Sequence, residues 1–174
     1  MFKLLNQIII ASIPLVPKSF VSFFANKYVA GTTINACLNN VKKINSKKLK
    51  ATVDILGEHT KDKREAIQIT DEYCSILKEI SRLRLDCNIS IKPSHIGTDI
   101  NLALYHKNLD KIHRSAVKFN NFVRIDMEDS RLTDTTLSSY NDISDTNIGV
   151  VLQAYLHRTE ADLDKLKNNS NIRL

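Results

Sequence analysis

The stretch Asn121-Phe122-Val123-Arg124-Ile125-Asp126-Met127-Glu128-Asp129-Ser130 decides the fold. Apolar Phe122, Val123 and Ile125 suit the interior of a strand, whereas Asp126, Glu128 and Asp129 crowd the point where that strand should stop. A carboxylate inside a core is costly unless paired, so charge at a strand end needs a purpose. In sheets built from alternating strands and helices, ligands and catalysis gather at the carboxyl ends of the strands. A helix cap or a surface turn would account for any one of these residues, so the question is whether other strands repeat the pattern.

They do. Apolar, β-branched runs recur at Ala51 to Leu56, Cys87 to Ile91, Phe122 to Ile125 and Ile148 to Leu152, separated by stretches of helical periodicity. After the first run, Thr60 can cap a helix whose stripe is Ala66, Ile67, Ile69, Tyr73, Ile76, Leu77, Ile80 and Leu83. Thr98 can open a second, with Leu102, Leu104, Tyr105, Leu109, Ile112, Ala116 and Val117 along one face, and Thr159 a last one through Ala161, Leu163 and Leu166. The connection from Leu132 to Asp145 has the weakest periodicity. Helical crossovers force parallel pairing, so the expectation is four βα units.

Each predicted strand then delivers polar groups to the same rim. Gly57-Glu58-His59 follows the first, Lys92-Pro93-Ser94-His95-Ile96-Gly97 the second, Asp126-Met127-Glu128-Asp129 the third and Gln153-Ala154-Tyr155 the fourth. Caps and turns enrich polar residues at such places too, yet four repeats favour a shared site. A closed (βα)8 barrel needs eight strands and about 250 residues. At 174 residues with four strands, the expectation is the first half of such a barrel. A small nucleotide-binding sheet is disfavoured, because Gly57 stands alone and no glycine-rich phosphate loop follows any strand.

The net charge of +6 has one dense source, Lys42, Lys43, Lys47, Lys48 and Lys50, just before the first strand. No aromatic residue interleaves with it, so a solvated linker or contact with an anionic membrane surface is favoured over nucleic acid. Cys37, Cys74 and Cys87 are odd in number and widely spaced, which fits a reducing compartment, with Cys87 a buried strand residue. His106 and His113 lie seven apart without an evident third metal ligand. The glycosylation matches at Asn88 and Asn168 are weak, Asn88 falling in a predicted strand.

Residues 1–50 form a separate helical lead-in, ahead of a half-barrel over 51–174. Leu4 to Val16 has the character of a signal-peptide core, but Asn6, Gln7, Pro14 and Pro17 interrupt or end it, so a packing helix is expected. Phe20, Val21, Phe23, Phe24, Tyr28 and Val29 supply an aromatic stripe of the kind used in cores. Thr32 or Thr33 can cap the next helix, through Ala36, Leu38 and Val41.

The residues also carry a family resemblance. Tyr28-Val29-Ala30-Gly31, Thr52-Val53-Asp54-Ile55-Leu56-Gly57-Glu58, Ile89-Ser90-Ile91-Lys92-Pro93, Val123-Arg124-Ile125-Asp126-Met127-Glu128 and Val150-Val151-Leu152-Gln153-Ala154-Tyr155-Leu156, with Arg158-Thr159-Glu160-Ala161-Asp162 after it, together resemble the proline dehydrogenase flavoenzymes. The resemblance implies a distorted (βα) barrel that holds FAD, oxidises L-proline to pyrroline-5-carboxylate and passes electrons to a membrane quinone. It implies a cytoplasmic or peripheral inner-membrane location, mitochondrial in a eukaryote. By motif position it makes Asp126 the active-site aspartate, Lys92 the partner of the proline carboxylate, Met127 a backbone contact to FAD and Gln153 an amide bonded to the flavin ring. The family's fifth strand with its arginine, and its final helix with paired arginines, are not matched, and neither Arg158 nor Arg173 sits in such a motif. Little proline oxidation is therefore expected from this chain alone, and the fourth strand is expected to leave an open edge for a complementary half or for self-association. Two other readings stand beside it: a non-catalytic remnant or interaction module, and an unrelated basic α/β binding protein.

Overall fold

The computed structural model describes Pro17 and residues 29–143, 145–166 and 171–174. The lead-in helices expected before Val29 and the match at Asn168 lie outside the described residues. The chain divides into two compact units at the Lys43 to Ile44 boundary, and the second carries the sheet. Helix α1 (Ile34–Ser46) is capped as expected by Thr33, whose Oγ1 accepts the Ala36 N–H at 3.2 Å.

Helices and strands then alternate: β1 (Ala51–Val53), α2 (Lys63–Arg82), β2 (Cys87–Ile91), α3 (Leu102–Lys118), β3 (Val123–Ile125), α4 (Thr133–Ile143), β4 (Ile148–Val151), α5 (Thr159–Lys165) and β5 (Ile172–Arg173). All five strands are parallel, in the order β1-β2-β3-β4-β5. The weakly periodic connection from Leu132 thus does form a helix. The four expected strands gain a fifth, and the edge expected on β4 is instead covered, with the Leu152 N–H donating to the Arg173 carbonyl at 2.8 Å.

Two expected caps are corrected. Asp62 caps α2, accepting from the Arg64 and Glu65 N–H groups at 2.6 and 3.1 Å, while Thr60 is buried with its N–H on the Ser94 carbonyl. Asn101 caps α3, because the chain from Lys92 to Ile100 first winds through turns that leave Thr98 short of the helix. Strand β1 ends at Val53, not Leu56. The Ile55 N–H donates to the Tyr73 hydroxyl at 3.1 Å rather than to a neighbouring strand, and Leu56 is exposed.

One face of the sheet is apolar throughout. Val53, Cys87, Ile89, Ile91, Val123, Ile125, Ile148 and Val150 are all buried, under α2, α3 and α4. Residues Tyr73, Leu77 and Ile80 of α2 and Leu109, Ile112 and Ala116 of α3 complete that core, while Ile67, Leu83, Leu102 and Val117, expected on the stripes, are exposed. At the amino ends of the strands, asparagines tie the chain together. Asn121 Nδ2 donates to the Cys87 carbonyl at 3.1 Å, Asn147 Nδ2 to Asn121 at 2.6 Å and Asn171 Nδ2 to Thr146 at 3.1 Å. Each precedes one strand and bonds at the start of the previous one, which fixes register where the ladder begins.

Candidate active site

Side chains alternate along a strand, so the register that buries one face also defines the other. That second face carries Thr52 and Asp54 of the first strand segment, Asn88, Ser90 and Lys92 of the second, Phe122, Arg124 and Asp126 of the third, Gly149, Val151 and Gln153 of the fourth, and Arg173. Most of these are half-buried or exposed, and among them only Phe122 and Val151 are large apolar residues. Such a face is too polar to pack like the branched interior of an ordinary barrel. It is suited to holding a polar ligand.

The rim at the carboxyl ends is preorganised. Lys92 Nζ donates to Asp54 Oδ2 at 2.5 Å, and the Tyr73 hydroxyl donates to Asp54 Oδ1 at 3.1 Å. One strand further along, the Ser90 hydroxyl bonds Asp126. Ser94, fully buried, joins three loops. Its hydroxyl donates to Glu128 Oε1 at 2.6 Å and accepts the His59 N–H at 3.0 Å, and its own N–H donates to Glu128 Oε2 at 2.7 Å. The His59 ring lies 2.8 Å from Asp99 Oδ2. At the far end Arg158 bridges Asp162 at 2.5 Å and Asp134, anchoring the loop that follows Gln153, whose carbonyl accepts from the Thr159 hydroxyl at 2.5 Å.

Burial acts on these groups unequally. Burial, then the Asp54 charge, push the Tyr73 hydroxyl far above the usual tyrosine range, so it stays protonated and donates. Burial pulls the Lys92 ammonium down, but its bond to Asp54 and the nearby Asp126 and Glu128 outweigh this and the net shift is upward. The hydrogen bond to Asp99 raises exposed His59.

His95 is lowered, chiefly by burial, and its Nδ1 has no partner among the described residues. A depressed histidine is neutral in both states above its ordinary value of about 6.5, so its contribution is fully present there. As pH falls through 6.5 and then through the folded value, the unfolded chain takes up a proton that the fold resists. The His95 contribution therefore lowers urea midpoints between pH 7.5 and 5.5, against the opposite effect of the raised His59, and His95→Asn should gain stability relative to the parent as pH falls across that window. A pH slope unchanged in His95→Asn would assign any loss to other groups.

All four residues singled out from the sequence lie at strand ends: Lys92 after β2, Asp126 and Met127 after β3, Gln153 after β4. The structure brings Lys92 and Asp126 onto neighbouring strand ends of one face, with Lys92 within the field of Asp126. Met127 is buried beside them, and the Gln153 amide bonds none of the described residues. A rim of mixed donors and acceptors with a free amide over a polar face has the chemistry to hold a flavin ring and its polar substituents. Sequence reading missed Tyr73, placed in an apolar stripe, and gave no role to Ser90 or Ser94, although both stood in stretches that it quoted. Arg173 was set aside, yet it lies on β5 and faces the site. His113 bonds Asp145 at 3.1 Å, and no group of three metal-ligating side chains occurs among the described residues.

Comparison with known proteins places these observations. The proline dehydrogenase family model matches residues 37–173. Proline dehydrogenase 1 of Bacillus subtilis subsp. natto is 35% identical over 153 residues, which is 86% of this chain and 51% of that protein. Proline dehydrogenase of Deinococcus radiodurans is 26% identical over 83% of this chain and 50% of its own length. The chain thus spans about half the length of the curated relatives it matches. Among solved structures, proline utilization A (PutA) from Bdellovibrio bacteriovorus, inactivated by N-propargylglycine, superposes with a TM-score of 0.79 at 22% identity, over 87% of this chain and 19% of that one. PutA from Corynebacterium freiburgense gives 0.65 at 23% identity, over 76% and 15%. The parallel sheet is that of the PutA folds, and with the family model covering most of its length, the chain belongs to the proline dehydrogenase family.

Proposed function

We propose that this chain supplies one side of an FAD-dependent site that oxidises L-proline to pyrroline-5-carboxylate, with electrons passing to a quinone and peripheral contact at an inner membrane. The observation that supports it most is the pair of strand ends where Lys92 meets Asp54 and Asp126 is held by Ser90. L-proline is a zwitterion, so its site must offer one cation and one anion at fixed separation. Lys92 offers the cation. Its ammonium is matched to Asp54 beforehand, which leaves it oriented and charged, and an incoming carboxylate shares it through a charge-assisted bond. Asp126, fixed by a serine hydroxyl rather than neutralised by a cation, keeps negative charge beside that point and orders the positive groups around the substrate. The buried hydroxyl of Tyr73 holds Asp54 in turn, so the lysine's partner does not swing into the site.

When bound, FAD supplies the hydride acceptor, and the chemistry of transfer is the cofactor's. On this chain the Met127 backbone, the Gln153 amide and Arg173 would hold it. An amide and a guanidinium beside a flavin ring tune its electron affinity.

The test loads the chain with FAD, alone and co-expressed with the carboxy-terminal half of Bacillus subtilis proline dehydrogenase 1, and adds L-proline without oxygen. Bleaching of the oxidised flavin spectrum in either sample supports the reading, and bound flavin that stays oxidised in both sinks it. In the active sample, Lys92→Ala should raise KM for L-proline about 10- to 100-fold with a smaller change in kcat, since a hydrogen bond to a charged group contributes about 1.5 to 3 kcal/mol. An unchanged KM would remove Lys92 from substrate binding.

A further inference from the structure

Arg124 occupies the middle of β3, in register with Ser90 on one side and Gly149 on the other. Its guanidinium carbon lies 5.4 Å from the centre of the Phe122 ring. Phe122 is two residues earlier on the same face, so ring and guanidinium pack together over the middle of the strand. The ring beneath it is constrained, since its tip sits 2.5 Å from where a side chain on Gly149 would begin. Only a glycine there admits it.

Of the nearby carboxylates, Asp54 is paired with Lys92 and bonded by Tyr73, and Asp126 is held by the Ser90 hydroxyl and makes no ion pair with Arg124. Arg124 has the aromatic face and no ion pair among the described residues. A second guanidinium, Arg173, stands on the same face. Burial first, and the Arg173 charge second, hold the Arg124 pKa below the ordinary arginine value, and the charge of Asp126 offsets them only in part. Covering this face would bury Arg124 further, and a guanidinium buried without an anion is strongly destabilising. Whatever covers it must therefore bring negative charge to the middle of the face, within ion-pair distance of this guanidinium.

We propose that Arg124 is one half of an interior ion pair, its carboxylate carried by an inward-facing Asp or Glu on parallel barrel strands that cover the polar face of this sheet. The fork of an arginine matches a carboxylate bidentately, which would set the covering strands in a single register. This rests on the proposed dehydrogenase reading, since it takes the face to be a barrel interior.

The experiment co-expresses this chain, tagged, with the carboxy-terminal half of Bacillus subtilis proline dehydrogenase 1. Arg124→Lys retains the charge and introduces an amine, which a carbodiimide should join to one Asp or Glu of the partner, located by mass spectrometry. Arg124→Leu should lower the yield of co-purified partner at least tenfold, and Arg124→Glu should abolish it until the cross-linked carboxylate is exchanged for lysine. Thermal unfolding of each variant alone, unchanged from the parent, shows that the chain itself is intact. The proposal is overturned if Arg124→Leu pairs as well as the parent, if the amine joins no partner carboxylate, or if Arg124→Leu loses flavin while pairing normally. Those outcomes leave proline-dependent bleaching intact in the parent pair and so fault the ion pair alone. Failure of the parent chain to pair at all faults the barrel reading and the ion pair together.

Discussion

Gly57→Ala will lower the stability of the chain by about 3 kcal/mol, the sum of two independent penalties. The first is local. Gly57 follows β1 with φ of 145°, a conformation that a residue with a Cβ adopts only under strain. The second is contact. A Cβ at this position would lie 2.5 Å from His95 Nε2 and 2.7 Å from its Cε1. That ring is only 4% exposed and is flanked by buried Pro93, Ser94 and Ile96, so it has nowhere to turn. Backbone strain of this kind costs about 1 to 3 kcal/mol, and forced overpacking about 1 to 3 more. Equilibrium urea unfolding of the two proteins measures it, and an unchanged m value shows that stability alone moved. A loss below about 1 kcal/mol would mean that the loop carrying Glu58 and His59 relaxes away from the second strand's loop.

Ser94→Ala will cost about 2 to 4 kcal/mol and uncouple three rim loops at once. The hydroxyl is a donor to Glu128 and an acceptor from the His59 backbone, in a residue with no exposed surface. Its removal leaves a carboxylate oxygen and a backbone N–H without partners, each costing about 1 to 3 kcal/mol where water cannot replace the bond. Glu128→Gln is the comparison. It keeps an oxygen to accept the Ser94 N–H while removing the charge, so it should cost less, and the double variant should fall short of the sum because both changes strike one network. Additive losses would show that Ser94 and Glu128 act separately. In an active assembly the same substitution should weaken L-proline binding, since Glu128 is tethered two residues beyond Asp126.

The sequence alone determined what depends on neighbours along the chain. Alternation at Cys87 to Ile91 and the three- and four-residue spacing from Ala66 to Ile80 mark a strand and the helix before it, and helices between strands require parallel pairing. Parallel pairing in turn sends Lys92, Asp126 and Gln153 to one rim, so their shared location was legible before any coordinates. The tertiary structure alone decided who meets whom there. Asp54 and Lys92 are 38 residues apart, and nothing local tells that their charges meet at 2.5 Å. Tyr73 has the spacing of a core residue, and only the placement of α2 against β1 turns its hydroxyl toward Asp54. The two-residue strand at Ile172 and Arg173 is too short to carry a period, and it becomes a strand because β4 offers it a ladder. Asp62 and Asn101 displaced Thr60 and Thr98 as caps for a similar reason. Several residues in each stretch can cap, and the one that does is set by how far the preceding loop must travel to satisfy Ser94 and its neighbours. Periodicity records the face a side chain takes on its own element, whereas hydrogen bonds between loops depend on sheet register and helix packing.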